Sequence, residues 1–319
     1  MKYFLTFLLT VFFASELLAK PIDYSQYFSP LPDSAENPEN PTNQNKIALG
    51  FKLYNDPILS LARDISCNSC HRLDSFGVDG EPTSPGHKGQ RGDRNSPSSF
   101  NAALHFTQFW DGRAKNVEAQ ALGPILNPVE MAMPSEEAVL ERLRAHAEYP
   151  SLFQQAFPED KIALSYKNVG RAIGAFKRTL LTPSAFDEYL KGNVNALSAE
   201  QRAGVKTFVE TGCTACHSGA LLGGHLYQKL GLVKPYPTND TGRHKVTGDE
   251  SDRHFFKVPS LRNVEKTGPY FHDGSVASLE KAIQLMAEHQ LGKQLTGEQV
   301  ASIASFLTSL TAEPKSSRK

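Results

Sequence analysis

All four cysteines of this 319-residue chain fall in two copies of one pentapeptide, Cys67-Asn-Ser-Cys70-His71 and Cys213-Thr-Ala-Cys216-His217. Two thiols three positions apart can each form a thioether to one porphyrin, and the adjacent histidine then lies under the iron as an axial ligand. The pattern predicts two covalently bound c-type haems, attached through Cys67 and Cys70 with His71, and through Cys213 and Cys216 with His217. A zinc site built from four cysteines would need neither histidine. As disulfides, four cysteines would make a sparse framework for a chain of this length.

The N-terminus agrees with the oxidising compartment in which such attachment occurs. Lys2 precedes an apolar run from Tyr3 to Ala14, too short to span a bilayer, and a small residue follows at Ala19. Residues 1–19 are expected to be a cleaved export signal, although Leu17 fits the small-x-small cleavage rule imperfectly. No cysteine follows the run to carry a lipid anchor, so no stable membrane insertion is expected after cleavage, and a bacterial periplasm is the expected location. With 39% hydrophobic residues and a formal net charge of zero, the chain suits one or two globular domains with real cores. Nucleic acid is not an expected partner. A neutral total does not identify an acidic or basic redox partner, because a patch can hide inside it.

A faint duplication organises the chain. Gly50-Phe-Lys52-Leu-Tyr54 stands before the first haem motif as Gly204-Val-Lys206-Thr-Phe208 stands before the second. Downstream, Pro97-Ser98-Ser-Phe-Asn101 answers Pro259-Ser260-Leu-Arg-Asn263. Fourteen residues after each proline comes an Asp-Gly pair, Asp111-Gly112 and Asp273-Gly274, and seven further on stand Glu118 and Glu280. The shared order and equal offsets argue for two related haem domains.

The expected fold is mainly α, with long irregular loops. Ser198-Ala-Glu-Gln201 is a capping box, and Val205, Phe208 and Val209 give an apolar stripe on a helix that stops at Gly212, just before Cys213. Similar patterns cover 136–147, 168–181, 278–288 and 297–310. The stretch 182–197, with Pro183 and Gly192, is the expected boundary. It separates an N-terminal domain over 20–181 from a C-terminal domain over 182–319.

Function turns on the sixth ligand of each iron, since a haem with two strong protein ligands shuttles electrons while one with a vacant face can bind an oxidant. Met286, in the helix pattern over 278–288, is the one methionine of the second half and a candidate thioether ligand that would raise that haem's potential; core filling is its ordinary alternative. In the first half the candidate is His87, in a loop rich in glycine and proline. It would act there as a removable cap; an ordinary surface histidine is the alternative.

Both haem motifs, the Gly86-His87 loop, the block from Asn101 to Ala114 with Phe109-Trp110-Asp111-Gly112-Arg113, Gln120, Gly123-Pro124, Asn127-Pro-x-Glu130-Met131, Leu261-Arg-Asn263, Pro269-Tyr-Phe-His272-Asp-Gly274 and Met286 together resemble the bacterial dihaem cytochrome c peroxidases. The likeness spans nearly the whole chain after the apolar run. It implies two tandem class I cytochrome c-like domains and the reduction of hydrogen peroxide to water, with electrons from a small periplasmic cytochrome c or a copper protein of the cupredoxin type. It further implies that the haem on His217 and Met286 receives electrons and that the haem on His71 meets peroxide, with His87 as its removable ligand. Glu130 would move the proton between peroxide oxygens, Gln120 would orient the substrate, and Trp110 would lie between the haems. A calcium ion held by the Asn95 side chain and the main-chain oxygens of Thr267 and Pro269 is implied as well, and relatives are commonly homodimers.

Glu130 also suits its role on physical grounds, because a carboxylate desolvated beside an open haem has its pKa raised toward neutrality and can serve as base and then acid. A helix-start acid or surface charge is the bland alternative. For the whole chain, two other readings stand beside the peroxidase. One is a dihaem electron carrier without a substrate of its own. The other is a related dihaem enzyme that oxidises a protein tryptophan residue; that branch has tyrosine where Met286 stands.

Overall fold

The computed structural model describes residues 24–314, so the expected export signal over 1–19 lies outside the described residues. Among these the chain is mainly helical. The helices are α1 Gln44–Asn55, α2 Cys67–Cys70, α3 Val117–Leu126, α4 Glu136–Arg144, α5 Tyr149–Ala156, α6 Tyr166–Lys177, α7 Ala185–Leu190, α8 Ala199–Thr211, α9 His244–Thr247, α10 Leu279–Leu291 and α11 Gly297–Thr308. Two strands, β1 Tyr227–Lys229 and β2 Phe255–Lys257, pair antiparallel. Helix starts follow local chemistry: Asn43, Asn116, Ser135, Ser165, Ser278 and Thr296 each accept a backbone N–H of the first turn through a side-chain oxygen. The Ser198 capping box is present, and α8 ends at Gly212 in the left-handed region, φ 98°. The helix expected over 168–181 begins earlier, at Tyr166 behind the Ser165 cap, and stops at Lys177. Beyond it, the Leu180 carbonyl is drawn out to accept from Asn101 N–H at 2.9 Å.

Two hydrophobic cores form. One gathers Leu49, Leu53, Ile125, Phe153, Val169 and Ile173; the other gathers Phe186, Val205, Phe208, Ile303, Phe306 and Leu310. The chain passes from one to the other between Leu180 and Phe186. The segment that precedes α1 packs with the later half, however. Phe28 meets Phe186 edge-on at 5.4 Å and Phe208 and Phe306 at 6.3 Å, and Tyr24 joins the same core. The start of the expected 20–181 unit therefore reaches across to the other core, where the rings of Phe186, Phe208 and Phe306 have the apolar surface to hold it.

The duplication has a geometric counterpart. In the first half α1 crosses α6, and in the second α8 crosses α11. A Cβ on Gly50 would stand 2.0 Å from the Ala172 carbonyl oxygen, and one on Gly204 would stand 2.1 Å from that of Ser302. Each crossing is thus closer than any side chain permits. After each haem motif an asparagine takes positive φ, Asn101 at 58° and Asn263 at 61°. Asn101 Oδ1 accepts from Thr182 N–H at 2.9 Å and Asn263 Oδ1 accepts from Ala312 N–H at 2.8 Å. The two units meet at the fully buried Thr182, whose hydroxyl accepts from Asn101 Nδ2 at 2.7 Å and from Asn263 Nδ2 at 3.0 Å.

A buried ion pair ties α7 to the 259–263 segment of the second repeat. Arg262 Nη1 and Nη2 donate to Asp187 Oδ2 and Oδ1 at 2.5 and 2.9 Å, with the two side chains 0% and 1% exposed. Burial alone would raise the Asp187 pKa, yet the guanidinium and the N–H groups of Ser184 and Leu31 hold it below the ordinary carboxylate range. A depressed carboxylate pKa contributes stability that is present above the unfolded value, near 3.9, and is lost as pH falls through the folded one. Arg262→Met should cost about 3–5 kcal/mol by stranding the Asp187 charge, and should flatten the acid limb of stability between neutral pH and about pH 3; urea unfolding followed across pH measures both. Gly204→Ala should lower stability by about 1–3 kcal/mol by forcing α8 and α11 apart. The same denaturation measurement checks it.

Candidate functional site

Each haem motif lines its own cavity. In the first half, α2 carries Cys67 and Cys70. The turn is closed by Ser66 N–H donating to Ser69 Oγ at 3.0 Å and by His71 N–H donating to the Cys67 carbonyl at 2.9 Å. Tyr54, from the Gly-x-Lys-x-aromatic motif on α1, donates its hydroxyl proton to the His71 carbonyl at 2.6 Å, which locks the motif to the first core. In the second half α8 ends at Gly212 and a 3-10 turn from Cys213 to Ala215 follows directly. All four cysteines are half-buried, and none is in a disulfide.

The second cavity spans about 1250 Å³ between protein atoms and is walled by Cys213, Cys216, His217, Met286, Ile303 and Leu307 among other, mostly apolar, residues. His217 Nδ1 is 2.9 Å from the Leu222 carbonyl oxygen. A carbonyl only accepts, so Nδ1 carries the proton and Nε2 keeps its lone pair for a metal. Met286 sits on α10, on the wall of the same cavity. Burial lowers the His217 pKa to about 4, so the imidazole is neutral and able to ligate at neutral pH.

The first cavity, about 810 Å³, is more polar. Cys67, Cys70 and His71 line it together with Gln120, Glu130 and Lys177. Burial again brings the histidine, here His71, down to about 4. Gln120 stands on α3. Glu130 follows α3 in a turn where Asn127 Nδ2 donates to Glu130 Oε1 at 2.6 Å. Burial raises the Glu130 pKa despite Arg113 and the Asn127 hydrogen bond. The carboxyl can therefore hold or release a proton nearer neutrality than an exposed glutamate can.

His87 is not on the wall of this cavity, although Ser84, Pro85 and Gly86 are. Its loop is pinned from behind: His87 N–H donates to the Val129 and Glu130 carbonyls at 3.0 and 2.8 Å, and a Cβ on Gly86 would fall 1.9 Å from the Val129 oxygen. Trp110 lines the second cavity and also a recess that continues the first past His71, Gln120 and Glu130. Its indole N–H donates to the Asn95 carbonyl at 2.9 Å. Asn95 is buried, with its own N–H on the His272 carbonyl at 2.7 Å and its side-chain amide on the Glu81 carbonyl at 3.0 Å. Among the described residues no group of three or more His, Cys, Asp or Glu is arranged to hold a metal ion; the expected Asn95, Thr267 and Pro269 set is of another kind, with one side-chain and two main-chain oxygens.

Several residues at the site escape a reading of motifs. Lys177 closes α6 and reaches Gln120. Arg94 lines the first cavity and pairs with Asp111 at 2.6 Å and Asp240 at 2.6 Å. Lys257 is 4% exposed on the wall of the second cavity, with Nζ 3.0 Å from His105 Nδ1. Their signal is faint because a lone lysine or arginine in a sequence reads as a surface charge. Only its burial marks it.

These residues fit two haems. Each cavity joins a thiol pair, a neutral histidine and an apolar wall, and the buried Lys257 ammonium matches a group that carries carboxylates. The fold and the paired cavities define a mainly helical protein built to house two haems of the c type. Residues 44–195 match the family model described as di-haem cytochrome c peroxidase. The cytochrome c551 peroxidase of Pseudomonas aeruginosa is 45% identical over 296 residues, which is 91% of this chain and 85% of that one. The cytochrome c551 peroxidase of Nitrosomonas europaea is 44% identical over 277 residues, 86% and 82% of the two. A solved MauG-like protein associated with microbial copper homeostasis superposes with a TM-score of 0.78 at 29% identity, covering 89% of this chain and 94% of its own. The chain belongs to the di-haem cytochrome c peroxidase family.

Replacing Cys213 and Cys216 together with Ser should leave one covalent haem per chain, and replacing Cys67 and Cys70 likewise. Intact mass and the haemochrome absorbance per chain check this.

Proposed function

We propose that this protein reduces hydrogen peroxide to two waters in the periplasm, taking two electrons one at a time from a small cytochrome c or a cupredoxin. The observation that carries the reading is the grouping of Glu130 and Gln120 on the wall of the cavity that holds Cys67, Cys70 and His71. The chain is arranged as two cytochrome c-like units divided near 181–182, with the segment around Phe28 packed back on the second. No helix among the described residues is long and apolar enough to cross a membrane.

The haem at His71 would supply an iron able to bind and reduce peroxide. Around it the protein supplies position and protons. Glu130, with its pKa raised by burial, takes the proton from the near oxygen of peroxide and returns it to the far one, and a further two protons from solvent complete the two waters. Asn127 fixes the carboxylate by holding Oε1, and Gln120 orients the substrate through its amide. His217 and Met286 keep the second haem for electron entry, and Trp110, on the wall of both cavities, lies on the route between them. His87 is the removable ligand of the first haem in this reading; its loop runs along the first cavity through Ser84, Pro85 and Gly86. A calcium ion on Asn95 and the main-chain oxygens of Thr267 and Pro269 would stiffen the join, where Asn95 already meets the His272 carbonyl.

Glu130→Gln keeps the shape and the Asn127 contact of the side chain but removes the transferable proton. It should lower the second-order rate constant for peroxide by roughly 10²- to 10⁴-fold, with both haems attached and the melting temperature little changed. Peroxide consumption by the protein carrying one added electron equivalent, followed by stopped flow, decides it. Wild-type turnover at the background rate of free haem would sink the reading.

A further inference from the structure

Lys177 is the last residue of α6 and is 6% exposed. Its Nζ lies 2.6 Å from Gln120 Oε1. An ammonium has only protons to offer, so the amide atom that faces it must be the oxygen, and the amide NH2 is left toward the cavity that both residues line. Burial lowers the pKa to about 8, so the group remains mostly charged at neutral pH. Lys177 enters no ion pair among the described residues, and its one side-chain hydrogen bond goes to a neutral amide. Glu118 favours the charge from a distance, but a buried cation with no carboxylate in hydrogen-bond contact is costly to keep for stability alone. Here it lines one small enclosure together with His71 and with Glu130, the carboxyl that accepts a proton.

We propose that Lys177 is a positioning residue of the peroxide site: it holds Gln120 with its amide NH2 toward the bound oxidant, and it places a fixed positive charge where loss of a proton to Glu130 leaves negative charge. The inference rests on the peroxidase reading and deepens it. When peroxide gives a proton to Glu130, the oxygen left behind gains the electron pair of the broken O–H bond. A preorganised cation and amide donor in a buried site favour that anion over neutral peroxide.

The test separates charge from shape. Lys177→Met keeps the stem and removes the ammonium, Lys177→Gln keeps a polar end without charge, and Lys177→Arg keeps the charge. In the protein carrying one electron equivalent, the second-order rate constant for hydrogen peroxide should fall roughly 10- to 100-fold in the Met and Gln variants and recover in the Arg variant. Fluoride, which binds as an anion, should lose affinity by a similar factor by optical titration, while imidazole, which binds neutral, should stay within about twofold. Adding Gln120→Ala to Lys177→Met should cost less than the sum of the two changes, because both act on one contact.

Unchanged peroxide and fluoride constants in the Met variant would overturn the proposal. Equal losses of fluoride and imidazole would do so too, since they would mark a distorted cavity. If instead the wild type consumes no peroxide, the peroxidase reading fails, and the fluoride and imidazole comparison still judges the lysine.

Discussion

Two helix crossings without a side chain between them carry this molecule. Gly50 lets α1 lie against the carbonyl of Ala172 on α6, and Gly204 lets α8 lie against that of Ser302 on α11. From those crossings run the features that matter chemically. Tyr54, four residues beyond Gly50, holds His71 by its carbonyl. The far end of α6 delivers Lys177 to Gln120. The end of α8 releases the chain at Gly212 directly into Cys213. Opening either crossing by the width of a methyl group would move a haem motif, so the glycines belong to the site as much as to the core.

Between the two cavities the join is polar. Arg94 bridges Asp111 and Asp240, Arg243 donates to the Asp111 carbonyl at 3.1 Å and to the Tyr227 hydroxyl at 2.7 Å, and Thr182 receives an asparagine from each repeat. Apolar packing is non-directional and would tolerate a slip of one unit on the other. Bidentate arginine pairs and asparagine amides do not, since a misplaced donor is left buried and unpaired. A fixed relation between the halves suits electron passage, and it leaves Trp110 as the shared wall.

The peroxide-facing cavity and the electron-receiving cavity differ in the way their proposed roles require. The wall of the first is the more polar of the two, with a carboxyl whose pKa is raised, an amide and a buried ammonium. The wall of the second is almost wholly apolar and offers a thioether. An apolar surround with a thioether favours the reduced iron, whereas proton transfer needs groups that titrate near neutrality. In the proposed reading, one duplicated scaffold supports two chemistries through the few residues that face each cavity.

Much of this could be read along the chain because its signals are local. The pentapeptides state the attachment chemistry within five residues, the Ser198 box and Gly212 mark the ends of α8, and the paired asparagines keep equal offsets from the Asp-Gly turns. The helices α1, α3 and α5 were not legible in the same way. α3 holds Gly123 and Pro124 inside its last turns, residues that ordinarily interrupt a helix, and it persists because Tyr166 and the α6 surface pack on it. Nor could any local pattern show that Phe28 packs with Phe186 and Phe306, that Lys177 and Lys257 are buried, or that Trp110 lies on two walls at once. Those facts join residues as far as 278 positions apart along the chain. Ligand identity depends on residue type and short spacing, which a linear chain carries directly. Burial, charge pairing and the distance between two cavities depend on which distant segments exclude the same water, and only the folded chain settles that.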